Sequence, residues 1–414
     1  MPNSIWQLDE FKPYQREWNA RRAIFSTNRA YYDGTAYSRL RNQLGVYLFN
    51  RLYKGIKPLY LPLARAVDVD AGIIPGGWAF AEDAPEAWAE ARDLVFSWSR
   101  WTVDGVLYVH YGASCGNSML KIAEAGEDRV GIFAVDPACH MLVYGEGVQY
   151  IDAAPTMAVC VEMKTGDDGK MCEYAEVTDI DRVRTFMDGV PAGVGGRDPE
   201  YPNPFGEVPF VEVKHLNVGE SIGYPTFKGV IPLLDAVNEQ ASYLADIIAK
   251  HVEPQWAVTG AEAGELERSG DNVWFLPAGG DAKALLATID IPGVLAFIQE
   301  IRDQVYGGLA ELAFDDLRKK DSIATATLEL QLMELVLKIK RCRPNYDDGL
   351  VRALQIAGRA NSQLSVLNDP ALVLDVTRPV LPLDAQTEMQ LELLAAQVEE
   401  AQGRAAFSRP GGYA

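Results

Sequence analysis

The chain has 414 residues and a formal charge of −20, from 38 basic and 58 acidic side chains. With 48% apolar and 23% charged residues it can bury a substantial core, which excludes wholesale disorder and predicts two or three domains. The acidity argues against sequence-reading DNA recognition, whose affinity comes from neutralising phosphates and releasing counterions.

No run reaches the ~18 apolar residues of a membrane-spanning helix, and the opening MPNSIWQLDEFK carries no signal-peptide core. The five cysteines, Cys115, Cys139, Cys160, Cys172 and Cys342, form no CxxC pair and are odd in number. This pattern argues against a disulfide framework or a zinc ribbon, and the expected setting is a reducing cytoplasm. Charge is spread unevenly. Residues 1–57 carry +6, 58–228 carry −15, 229–311 carry −9, 312–343 carry +2 and 344–414 carry −4. Such acidity reads either as solubility or as a wall that DNA passes without sticking, and composition does not choose between them.

In chain order, the segment from Glu17 to Tyr53 reads as helical pieces interrupted at Tyr31-Tyr32-Asp33-Gly34. In APEAWAEARDLVFSWSRW, the residues Trp88, Ala91, Leu94, Val95 and Trp98 recur at helical spacing and predict a core stripe. From Val103 to Leu216 the pattern predicts strands: VLYVHY, MLVY, TMAVCVEMK, KMCEYAEV, DRVRTFMDG and VPFVEVKHL, separated by turn clusters. Residues 189–206 form a Gly/Pro-rich loop.

After Gly229, the residues Val230, Leu234, Val237, Ala241, Leu244, Ile248 and His251 alternate in steps of four and three, a seam for another helix. Asp235, Glu239, Ser242, Asp246 and Glu253 form an acidic stripe on the other side. Two strand-like pieces, QWAVTG and NVWFLP, follow Pro254. A second helix runs through Ile291, Leu295, Ile298, Ile301, Val305 and Leu309, with Glu300 and Asp303 off its stripe. Then come a polar loop holding Arg318-Lys319-Lys320 and a long apolar helix from Ser322, predicted to kink at Arg343–Pro344. LVLDVTRPVLPLD reads as a strand and turn, and a last amphipathic helix is expected from Gln386 to Gln402.

Several short motifs invite chemistry. Gly112-Ala113-Ser114-Cys115-Gly116 matches G-x-S-x-G after a strand-like run. In a serine hydrolase Ser114 would be the nucleophile and one of His140, His215 or His251 the base. No oxyanion-hole loop precedes it, and a Gly/Ser-rich loop between two antiparallel strands explains it more simply. Cys139-His140 with His110 lacks a second ligand pair at a recognised spacing, so no metal is expected. Asp68-Val69-Asp70-Ala71-Gly72 begins like a calcium loop, but Ile73 and Ala79 stand where that loop needs Gly and Glu. No phosphate-binding loop is present, and neither a cofactor nor a catalytic constellation emerges.

The collinear order of several segments resembles the portal proteins of tailed bacteriophages, from about Arg29 to Leu383. NRAYYDG is similar to the Tyr-Tyr-x-Gly segment that opens many of them. VDGVLYVHYG with VGIFAVDPACHMLVYG resembles their strand followed by an Asp-Pro strand. In PFGEVPFVEVKHLN, the positions Gly206, Pro209 and Asn217 match. In GYPTFKGVIPLLDAVNEQASYLADIIAKHVEPQWAVTG, the family's helix–Pro–strand element puts Asp235, Asn238, Pro254 and Gly260 in register. SIATATLELQLMELVLKIKRCRPNYDDGL resembles the following helix, with Ser322-Ile323 where the family has Ser-Gly.

The resemblance implies an α+β portal fold and no enzymatic activity. A mixed α/β wing would span 1–228, helical first and then β-rich. Stem helices would occupy 229–252 and 289–312, a small β clip 253–288, a tunnel loop 313–321, a kinked tunnel/wing helix 322–366, and a C-terminal strand with a short crown helix 367–414. It implies a homo-oligomeric ring, generally of twelve subunits, at one capsid vertex of the virion, assembled in the host cytoplasm. Double-stranded DNA would be packaged and ejected through the ring without sequence specificity. Arg318, Lys319 and Lys320 would face DNA, and Asp235, Glu239, Asp246, Glu253, Glu300 and Asp303 would line the stem. Trp256, Glu262, Glu265, Glu267 and Trp274 would dock the large terminase and then the head–tail adaptor. Major capsid and scaffolding proteins are further implied partners, and no membrane is.

Overall fold

The computed structural model describes residues 4–36, 60–145, 154–165, 169–252, 255–259, 281–285, 290–313, 332–378 and 380. The chain divides into two compact units. The first draws on the described parts of residues 1–33, 62–228 and 309–414, and the second on those of 34–61 and 229–308.

The first unit is α+β. Helices α1 (Gln15–Tyr32), α2 (Leu63–Ile73), α3 (Glu86–Trp98) and α4 (Trp101–Cys115) precede its strands. Strand β1 (Asn117–Gly126) pairs antiparallel with β2 (Arg129–Val135) and with β9 (Phe210–Lys214) in the order β2-β1-β9. A six-stranded sheet follows the path β3 (His140–Val143), β4 (Met157–Thr165), β5 (Met171–Asp179), β6 (Arg182–Met187) and β7 (Val190–Pro191), and β8 (Glu200–Pro202) also pairs β6. Helix α7 (Met333–Ala360) completes the unit and packs on β9, β1 and β2. This mixture fits the α+β expectation.

Among the described residues, three apolar clusters hold these layers. The largest joins Trp78, Trp88, Trp101 and Tyr108 to the inner faces of β1 and β2 and to Ile339, Tyr346 and Leu350 of α7. The N-terminal turns and the start of α1 place Ile5, Trp6, Phe11 and Trp18 over Met141, Val159, Val177 and Phe186 of the second sheet. Between the sheets lie Met119, Leu142, Ala158, Val208 and Phe210. There Lys121 of β1 also pairs with Glu176 of β5 at 2.6 Å. Burying an apolar side chain of this size contributes about 1.5–3 kcal/mol, so this packing outweighs that ion pair.

VLYVHY, expected as a strand, lies within α4. Up to Gly112 its buried positions are Trp101, Asp104, Gly105, Tyr108, Val109 and Gly112, which follow the three-and-four step of a helix, and the last turn, Ala113–Cys115, is buried throughout. The exposed face carries Val103 and Val106, 62% and 48% exposed, so the run is apolar on both faces and does not differ visibly from a buried strand. Gly116 ends the helix with φ 107°, where any Cβ would meet the Gly223 carbonyl oxygen at 2.2 Å, and Asn28 donates to the Cys115 carbonyl at 2.7 Å.

Helix α7 continues through Pro344. Pro344 and Lys340, the residue whose carbonyl loses its partner, are both exposed, so the helix loses that bond on its solvent side rather than in the core. Arg343 turns the other way and donates to the carbonyls of Ile73 and Ile74 at 3.2 and 3.1 Å. A buried cation thereby caps the C-terminal end of α2. The expected C-terminal strand forms no ladder among the described residues. Leu372 and Leu374 are buried, and the Asp375 N–H donates to the Ala79 carbonyl at 2.9 Å.

The second unit contains α5 (Ile231–Val252), β10 (Gln255–Thr259), β11 (Asp281–Leu285) and α6 (Ile291–Gly307). The two helices pack on each other, and β10 pairs antiparallel with β11. QWAVT thus pairs with DAKAL, and the strand expected at NVWFLP lies outside the described residues. The expected helix at 386–402 lies outside them too.

Candidate functional site

Along the α5 seam, Val230, Leu234, Val237 and Leu244 are buried. Asn238 is held from both sides: its Oδ1 accepts the Tyr60 N–H at 3.2 Å, and its Nδ2 donates to the Leu234 carbonyl at 3.0 Å. Ser242, read from sequence as part of the acidic stripe, is instead buried and donates to the Asn238 carbonyl at 2.7 Å. Its short hydroxyl satisfies itself within the helix, so it needs no solvent.

Asp235 and Glu239 are half-buried on α5. Glu300 and Asp303 are exposed on α6, where Arg302 lies 3.3 Å from Asp303. The α6 stripe is covered at Ile301 and Val305, whereas Leu295 and Phe297 stand 45% and 54% exposed. Asp290 caps α6 by accepting the Gly293 N–H at 3.1 Å. Asp246 and Trp256 fall on α5 and β10, with Trp256 opposite Ala284. Glu253, Glu262, Glu265, Glu267, Trp274, Arg318, Lys319 and Lys320 lie outside the described residues.

The G-x-S-x-G segment is no nucleophile elbow. An elbow needs strand, turn, helix; here helix α4 ends and strand β1 begins. Ser114 is buried and donates to the His110 carbonyl at 2.7 Å. The loop between antiparallel strands, the simpler explanation from sequence, is corrected in the same way. Asp68–Gly72, weighed as a calcium loop, belongs to helix α2.

Sequence reasoning missed a buried ionic cluster in the first unit. Asp70 on α2, His215 after β9, Thr226, Glu311 and Lys338 on α7 come together there. Thr226 precedes α5 by five residues and Glu311 follows α6 by four. The Asp70 carboxylate accepts from the Thr226 hydroxyl and lies 3.4 Å from His215 Nε2. Lys338 pairs with Glu311, stands 4.0 Å from Asp70 and donates to the Thr226 carbonyl at 3.2 Å.

One ammonium here faces two buried carboxylates, and they divide it unequally. Burial pushes the Asp70 carboxyl up, but His215, Lys338 and Thr226 together hold it below its ordinary value. Burial, then the negative charge of Asp70, raises Glu311 to about 7 against the pull of Lys338. Desolvation lowers Lys338, yet the two carboxylates more than reverse that and keep it raised. No spacing rule connects residues 70, 215, 226, 311 and 338; only the buried polar character of each was available, and sequence does not reveal burial.

Residues 107–350, more than half of the chain, match the family described as Phage portal protein, SPP1 Gp6-like. No curated protein matches. Among solved structures, the neck of a native gene transfer agent particle computed with C12 symmetry is similar at 12% identity and a TM-score of 0.38, over 89% of each chain. The virion of a native gene transfer agent particle is similar at 12% identity and 0.36, over 88% of this chain and 90% of that one. The neck of an empty particle computed with C6 symmetry is similar at 14% identity and 0.43, over 88% and 93%. The match begins within α4 and ends within α7, and by it the chain belongs to the SPP1 Gp6-like family of phage portal proteins.

Proposed function

We propose that the chain assembles into a ring at one vertex of a phage capsid, whose central channel passes double-stranded DNA inward during packaging and outward during ejection. The observation that carries this is the family match over residues 107–350. In this reading α5 and α6 are the stem, 253–288 the clip that docks the large terminase and then the head–tail adaptor, and 313–321 the tunnel loop. The wing occupies 1–228, and 322–366 and 367–414 form the tunnel helix and the crown.

The chemistry supports it. Leu295 and Phe297 leave apolar surface on α6, which a neighbouring copy covers in a closed ring. Duplex DNA carries one charge per ~1.7 Å, so carboxylates such as Glu300 and Asp303 facing a channel repel it and leave no deep electrostatic trap. Arg318, Lys319 and Lys320 at a constriction touch the backbone without reading bases.

The test is the solution mass of the purified protein with negative-stain images of the same peak. Twelve copies of a 45.5 kDa chain give about 546 kDa, and a particle near that mass or a nearby ring number with a central hole is expected. A particle that stays monomeric at high concentration and in the presence of capsid and scaffolding proteins overturns the reading.

A further inference from the structure

His140, Cys160 and Glu162 each offer one ligand atom, and the three atoms lie within 4.8 Å of one another. Strand pairing produces the cluster: His140 opens β3 directly opposite Cys160 on β4. Glu162, two residues along β4, shares the face of Cys160. We propose that these three side chains bind a zinc ion, which clamps the four-residue edge strand β3 onto β4.

The donor set, one imidazole, one thiolate and one carboxylate, is the borderline mixture zinc takes in preference to magnesium or calcium. Donors on a common tetrahedral zinc stand about 3.3–3.8 Å apart. Glu162, whose side chain is 38% exposed and lies 3.7 Å from the Lys164 ammonium, has room to swing toward the other two donors. That open side also lets water supply the remaining position.

The surroundings orient the imidazole for this role. His140 Nδ1 donates to the Asp136 carbonyl at 2.8 Å, which leaves the Nε2 lone pair as the ligand. Asp136 is itself locked: Arg29 grips its carboxylate with two bonds of 2.7 and 2.8 Å, and it accepts the Ala138 N–H at 2.9 Å. Cys160 is a buried free thiol without a hydrogen bond among the described residues. The nearby cation Lys121 is already neutralised by Glu176. On binding, the Cys160 S–H bond breaks, the proton leaves to solvent and the sulfur forms the metal bond. A thiolate and a carboxylate then balance the dication. The site is independent of the DNA-channel reading.

The full-length protein, stripped with a chelator and titrated with cobalt(II) as a spectroscopic stand-in, is expected to take one equivalent. A thiolate-to-metal charge-transfer band should appear, and zinc should displace it. Cys160→Ala is expected to abolish the band. Glu162→Gln, at a half-exposed position that cannot unfold the sheet, should weaken binding by about 10–100-fold. Cys139→Ser and Cys172→Ser should keep the band. Absence of the band in the native chain, its survival in Cys160→Ala, unchanged affinity in Glu162→Gln, or its loss in Cys139→Ser each overturns the assignment.

Discussion

Tyr108 of α4 and Tyr346 of α7 meet edge to face, ring centroids 5.1 Å apart, and each uses a glycine on the opposite helix. A Cβ at Gly112 would lie 1.9 Å from the Tyr346 hydroxyl, and one at Gly349 would lie 2.3 Å from the Tyr108 hydroxyl. The two helices therefore interlock reciprocally at the centre of the main core, with both tyrosines fully buried. This sets how closely α4 and α7 approach, and with them the sheet each supports.

Gly112→Ala is expected to destabilise the protein by about 1–3 kcal/mol, the cost of overpacking a filled core. Tyr346→Phe removes the atom in sharpest conflict. In a double-mutant cycle, Gly112→Ala with Tyr346→Phe should lose less stability than the two single changes added together. Strict additivity in denaturant melts would show that the clash relaxes elsewhere.

Glu311 gives a pH signature whose sign follows from its environment. A carboxyl raised to about 7 in the fold binds its proton more tightly there than in the unfolded chain. Its contribution to stability therefore declines as pH rises from ~4.5 through ~7 and is constant outside that window. Glu311→Gln should remove this decline, with a difference of up to about 3 kcal/mol between the two curves at pH 8. Thermal midpoints across that range check it, and parallel curves for both proteins refute it.

Lys338→Met leaves Asp70 and Glu311 buried together without their shared cation. A loss of about 3–5 kcal/mol is expected near neutral pH. The loss should shrink in mild acid, where Glu311 takes up a proton. Chemical denaturation at two pH values measures both effects.

If α5 and α6 line a channel, Asp235→Asn, Glu239→Gln and Asp246→Asn together should leave rings intact in the microscope while lowering the amount of DNA packaged. Changing Arg318, Lys319 and Lys320 to Ala should impair DNA retention more than assembly. Normal packaging in the first variant defeats the repulsive wall, and failure of the second to form rings defeats the tunnel-loop assignment.

Ser114→Ala should be functionally silent and cost at most about 1 kcal/mol, since the hydroxyl bonds only within its own helix end. An active-site serine probe should not label the native protein. Labelling lost in Ser114→Ala would reinstate hydrolysis.

Much of the architecture was legible along the chain because it rests on local periodicity. The four-and-three steps of Val230, Leu234, Val237 and Leu244 marked α5, and the stripe from Ile291 through Ile301 and Val305 marked α6, though its last position, Leu309, falls beyond the helix. The turn-bounded runs around Cys160, Tyr174 and Phe186 marked three strands of the larger sheet. These patterns survive because each element buries one face and exposes the other, and that alternation is written into neighbouring residues.

What the tertiary structure decided lies where an exposed face is itself apolar or where partners are distant in sequence. Tyr108 and Val109 sit in a helix whose solvent face carries the apolar Val103 and Val106, 62% and 48% exposed, so no polar face reveals the period. The strand facing Trp256 is the weakly patterned Asp281–Leu285, because pairing depends on register between segments and not on either alone. Asp70, His215, Glu311 and Lys338 form one charge cluster, and His140 faces Cys160 across a ladder. Chain proximity foretells neither, because a charge in low dielectric is stabilised by whichever partners the fold carries to it.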